Sequence, residues 1–186
     1  MPVTALDPKP ALVVVDLQRG IVALPLAHPA AAVLARNAEL LTEFRRRGLP
    51  VVLVNVAGAP AGRTDHGPVF PVLTPEWTEL APELGAATTD HLLTKHARSA
   101  FTGTGLNEWL RDQDVTQVVV TGIATSNGVE STVRDAHEQG FHVTVALDAI
   151  TDIDGAAHEH TVATVYPRLA ETGTTRDILK ALAEAH

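Results

Sequence analysis

The chain has 186 residues, a formal net charge of −8 and no cysteine. An acidic balance works against a phosphate backbone, whose binding needs Lys and Arg to release counterions, so no nucleic-acid partner is expected. The absence of cysteine excludes disulfides, thiolate metal ligands and a thiol nucleophile. No apolar run approaches the ~20 residues of a membrane span, and the stretch before residue 10 has no signal-type apolar region. A cytoplasmic protein with no membrane contact is expected.

The run Ala11 to Asp16 is short, β-branched and closed by a charge, which reads as a strand buried on both faces. From Ala30 to Arg47 apolar residues recur at helical spacing, and Gly48 supplies the stop. Val51 to Asn55 is a second buried strand, so the three elements form a parallel crossover unit. Between Ala57 and Thr89 prolines and glycines break all periodicity, as expected of a long functional loop or lid. The pattern resumes with a short strand from His91 to Thr94 and a helix face at Leu106, Trp109 and Leu110. Gln117 to Thr121 is the next strand, Val129 to Ala136 a helix closed by Gly140, and Val143 to Leu147 a further strand. Two helices follow, one near Ala156 to Leu169 and one from Thr175, with that threonine read as its cap.

Strands alternating with helices predict a three-layer α/β/α fold with a doubly wound, mostly parallel sheet of about six strands. With no linker and no internal repeat, residues 1–186 are read as a single domain. Ligands of such sheets bind outside the carboxyl ends of the strands. Three features stand there: Asp16 with Gln18, Lys95, and the turn Gly122 to Gly128 leading into a helix, whose free N–H groups would suit an anion.

These segments carry a family resemblance. Val-Val-Asp16-Leu-Gln18, Thr94-Lys95 followed by Ser99-Ala-Phe101 and Thr104-x-Leu106, Gly122-Ile-Ala-Thr-x-x-Gly128-Val-Glu-Ser-Thr-x-Arg-Asp-Ala136, and Asp148-Ala149 together resemble the isochorismatase-like hydrolases. In many members an aspartate, a lysine and a cysteine form the catalytic triad, and the matching positions here are Asp16, Lys95 and Gly128. The resemblance places Gln18, Phe101, Ala124 and Thr125 around the substrate. Amide-cleaving members need the thiolate to form an acyl intermediate, which glycine cannot do. A vinyl ether of the isochorismate type needs only an acid and a water. The resemblance thus implies hydrolysis of a small, anionic substrate with Asp16 as general acid and Lys95 orienting it or meeting substrate charge. Lys95, His96, Arg98 and His66 are the nearby cations for a dicarboxylate. Asp65-His66 is too sparse for the metal site of nicotinamidases, so no metal and no cofactor are expected.

A nearby ammonium favours the ionised carboxylate, so Asp16 needs desolvation or an anionic substrate to act as an acid. Two rival readings stand beside this one. Ala124-Thr-Ser126-Asn-Gly128 is one residue away from a nucleophile elbow, and Asp148 or Asp152 with His158 or His160 would complete a serine triad. Alternatively the chain is an inactive small-molecule-binding or scaffold homologue. The expected partners are a small-molecule substrate and further copies of the chain, in a homodimer or larger homo-oligomer.

Overall fold

The computed structural model describes residues 3–65 and 73–185, and His66 lies outside them. The strands are β1 (Pro10–Val15), β2 (Val51–Val56), β3 (His91–Lys95), β4 (Gln117–Ile123), β5 (His142–Thr151) and β6 (Glu171–Gly173). They form one six-stranded sheet in the order β3-β2-β1-β4-β5-β6, and every pairing is parallel. The α-helices are α1 (Arg19–Val22), α2 (Ala30–Arg46), α3 (Pro75–Thr78), α4 (Leu106–Asp112), α5 (Glu130–Glu138), α6 (Gly155–His160) and α7 (Thr175–Glu184). No helix among the described residues is long and apolar enough to cross a membrane.

Period-two alternation splits the core between the two faces of the sheet. Leu12 and Val14 of β1 pack with Leu40, Leu41 and Phe44 of α2 and Ile178 of α7. Val13 and Val15 pack on the other side with Leu106, Leu110, Val133 and Tyr166. Every residue of β1 and β4 is buried, as expected of central strands in a three-layer fold. The chain winds from β1 outward through β2 and β3, then crosses back to β4 on the other side of β1. That reversal opens a crevice at the carboxyl ends of β1 and β4.

Several expectations needed correction. The sixth strand, β6, has only three residues at the sheet edge and no apolar pattern, so periodicity gave no sign of it. Strand β5 runs past Leu147 to Thr151 because its register with β4 shifts, Val120 pairing Val145 but Gly122 pairing Ile150. The stretch 57–89 is not wholly irregular: it holds α3 and a 3-10 turn at Pro82–Leu84, and Leu80 bridges to Gln18. The cap of α7 is Thr174, whose hydroxyl accepts from Asp177 N–H while Asp177 accepts in return. The helix that carries Gly128 starts earlier than expected, as a π-turn over Thr125–Val129 that runs into α5.

Gly122 shows how closely β1 and β4 approach at the crevice. Its φ is +115°, and an added Cβ would lie 1.9 Å from the carbonyl oxygen of Val15. Gly122→Ala is therefore expected to cost at least about 3 kcal/mol, from backbone strain and the clash together. Urea unfolding of the variant checks this, and a loss below about 1 kcal/mol would contradict it.

Candidate active site

Asp16 follows β1 directly. Its N–H donates to Val54 O at 2.9 Å, and its φ of 54° turns the chain out of the sheet. Asp is one of the few non-glycine residues that tolerate this left-handed conformation. Lys95 ends β3, with β2 lying between it and β1. Neighbouring strands are about 4.8 Å apart, so the Lys95 and Asp16 side chains together bridge roughly two such spacings. Its ammonium meets Asp16 Oδ2 at 2.8 Å and donates to the Ala97 carbonyl at 3.0 Å.

The pair is out of water, with side-chain exposures of 2% for Lys95 and 6% for Asp16. Asp16 Oδ1 is buried with no hydrogen-bond partner among the described residues. Burial disfavours the ionised carboxylate, while the charge and hydrogen bond of Lys95 favour it. Burial is the larger effect, and it pushes the Asp16 carboxyl up from 3.8 to about 6. Desolvation thus prevails over the nearby ammonium.

Gly128 lies in the first turn of the helix, which follows a cis peptide between Ile123 and Ala124. A Cβ there would sit 3.1 Å from Asp16 Oδ2 and 3.5 Å from the Arg98 carbonyl oxygen. Asp16, Lys95, Ala124 and Gly128 all line one cavity of about 230 Å³. That is below the ~300–1,000 Å³ common for drug-sized ligands, so the occupant must be small. Much of the remaining wall is apolar, from Ile21, Leu24, Val56, Ile123 and Ile153, while Arg98 and Asn127 add polar groups.

Other expected site residues stand elsewhere. Gln18 is fully buried and absent from the cavity lining, because its carboxamide is used up between backbones. Its Nε2 donates to Val56 O and Trp77 O at 3.1 and 3.2 Å, and its Oε1 accepts from Val56 N–H at 2.7 Å. Phe101 packs in the core with its ring 5.9 Å from that of Phe141. Thr125 is buried, its hydroxyl 2.8 Å from His158 Nδ1. His96 is exposed beside Gly58 rather than in the cavity lining.

The helix start is also less free than its position suggested. Ser126 N–H donates to Asp152 Oδ2 at 2.7 Å, and the N–H groups of Asn127 and Val129 donate to Ala124 O. Asp152 already supplies the negative charge that this end attracts. The serine triad is not assembled. Ser126 Oγ donates to Asp152 at 2.8 Å, whereas His158 bonds Thr125 and His160 is exposed. Asp148 accepts from the N–H and hydroxyl of Thr175 and so holds the start of α7.

Sequence reasoning missed the cavity's apolar wall. Leu24 and Ile153 are exposed residues outside any periodic pattern, so only coordinates place them there. It also missed that Arg98 donates to Asn127 Oδ1. The position of Asn127, next to Gly128, was the available signal.

Fold and site define an α/β protein with a small cavity and a buried acid–ammonium pair at the carboxyl ends of a parallel sheet. A profile of the isochorismatase domain matches residues 10–177. The isochorismatase family protein YecD of Escherichia coli O157:H7 is 38% identical over 181 residues, covering 92% of this chain and 95% of its own. A solved isochorismatase family protein from Burkholderia thailandensis is 41% identical with a TM-score of 0.92, covering 96% of this chain and 98% of its own. The N-carbamoylsarcosine amidase of Thermoplasma acidophilum is 31% identical with a TM-score of 0.74, covering 90% and 96% respectively. This chain belongs to the isochorismatase family and is a hydrolase of that family.

Gln18→Leu is expected to lose about 2–4 kcal/mol of stability, because it strands buried backbone groups at the end of β2. Urea unfolding measures this. A variant as stable as the parent, with altered substrate preference, would return Gln18 to a binding role.

Proposed function

We propose that the protein hydrolyses the vinyl ether of a small anionic molecule, isochorismate being the named example, with Asp16 as general acid and no covalent intermediate. The observation that carries this reading is the buried Asp16 carboxyl, pushed up to about 6, on a small cavity beside Gly128. At that value a useful fraction is protonated near neutral pH, as a general acid requires.

Asp16 transfers its proton to the terminal carbon of the vinyl ether, and the C=C π pair forms the new C–H bond. The positive charge left behind is shared with the ether oxygen. Water adds to the internal, oxygen-bearing carbon, and its surplus proton returns to the Asp16 carboxylate. The resulting hemiketal collapses to a ketone and an alcohol, so one water is consumed and the acid is regenerated. Lys95 orients Asp16 through the 2.8 Å contact and stabilises its carboxylate after transfer. Gly128, taken as the position of the family's nucleophile, leaves space beside Asp16 in place of a side chain. An amide would instead need a nucleophile, and the chain has no cysteine while Ser126 is bonded to Asp152. In line with the resemblance, the working form is placed in the cytoplasm as a homo-oligomer.

Release of pyruvate from isochorismate and from simple 2-alkoxyacrylates tests the activity. Asp16→Asn should lower kcat by at least about 100-fold. Because the protonated form is the active one, kcat/KM should be level below about pH 6 and fall about tenfold per unit above it. No turnover of any vinyl ether, or a profile rising through pH 6, would overturn the reading.

A further inference from the structure

Among the described residues, the cations lining the cavity are Lys95 and Arg98, and they are differently placed. Lys95 is enclosed, its ammonium held by Asp16 Oδ2 and the Ala97 carbonyl. Arg98 is exposed, and one arm of its guanidinium donates to Asn127 Oδ1. A guanidinium carries five N–H donors in a planar fork, so this bond fixes the head while leaving donors for a second acceptor. Asn127 is itself held: its N–H donates to Ala124 O at 3.0 Å, and Gly128 follows it directly. The backbone carbonyl of Arg98 also approaches the Gly128 position at 3.5 Å. Arg98 and Asn127 therefore frame the cavity on the Gly128 side.

Among the described residues, the rest of the lining holds no further cation. Ile21, Leu24, Val56, Ile123 and Ile153 present hydrocarbon, and Asp16 would repel an anion while ionised. A carboxylate pressed against that wall would lose its hydration without gaining a partner. An apolar body gains by burial at the same place.

We infer that Arg98, aimed by Asn127, receives a single substrate carboxylate, and that the substrate is a monoanion with an apolar remainder rather than a dicarboxylate. This rests on the acid-catalysed reading and its cavity, and narrows the substrate from isochorismate, itself a dicarboxylate, to a monoanionic vinyl ether of the 2-alkoxyacrylate kind. The fitting class is the enol ether of pyruvate with a neutral, apolar alcohol. Arg98 is then the residue that sets specificity, and it touches the carboxylate without taking part in proton transfer.

Direct binding tests this without turnover, using benzoate, benzamide and phthalate titrated into the full chain by calorimetry. Benzoate should bind, and Arg98→Ala should weaken it at least tenfold, with Arg98→Lys in between and Asn127→Ala weaker by about threefold. Benzamide should respond to none of these changes, and phthalate should bind no tighter than benzoate. Circular dichroism of each variant confirms folding, which an exposed side chain should not disturb. Benzoate that fails to bind, or binds Arg98→Ala as well as the parent, overturns the inference, as does phthalate binding tenfold tighter than benzoate. Benzoate binding through Arg98 in a protein that turns over no vinyl ether would condemn the acid mechanism alone. Turnover abolished by Asp16→Asn but indifferent to Arg98→Ala would condemn only the carboxylate site.

Discussion

Two opposite charges sit out of water at the carboxyl end of this sheet, and the balance between their attraction and their desolvation governs the site. If attraction prevailed, Asp16 would be a permanently ionised partner of Lys95 with no proton to give. Burial prevails, and the shift from 3.8 to about 6 amounts to roughly 3 kcal/mol against the ionised form. The carboxyl is therefore more favoured in its protonated form in the folded protein than in the unfolded chain. Its stabilising contribution is complete below about pH 3.8 and is lost as pH rises through about 6. Stability is given up at neutral pH to keep a proton within reach of the cavity.

The fold brings this pair together by topology. Asp16 and Lys95 end strands separated by β2, and because β1 and β3 run the same way both chain ends lie at one edge of the sheet. The crossing back to β4 then places the Gly128 turn against Asp16, with a Cβ position only 3.1 Å from its carboxylate. Gln18 braces the arrangement by tying the chain just after Asp16 to the end of β2 and to α3. The acid is held between rigid elements, which suits proton transfer to a defined carbon.

Much of this was legible in the residues. The continuous apolar runs of β1 and β2 and the helical spacing of α2 reported the parallel fold, because burial on both faces leaves a plain signature. Asp16, Lys95 and the turn before Gly128 stood out because each ends or follows a strand at the carboxyl side, and they line one cavity. Gln18, Phe101 and Thr125 illustrate the limit. Motif membership placed them near the site, but which way a side chain points depends on tertiary contacts, and all three face protein rather than cavity. The sense of the Asp16 shift was equally hidden, since it depends on how much water the folded chain excludes. β6 escaped notice because three edge residues carry no period.

The most direct test is a carbon-13 NMR titration of the Asp16 carboxyl in the unliganded protein, assigned by comparison with Asp16→Asn. A midpoint near 6, moving higher in Lys95→Met as the opposing ammonium is removed, is the predicted result. A midpoint at or below 4 would contradict the account, because the carboxyl would then be an ordinary ion-paired aspartate with no proton to donate at neutral pH.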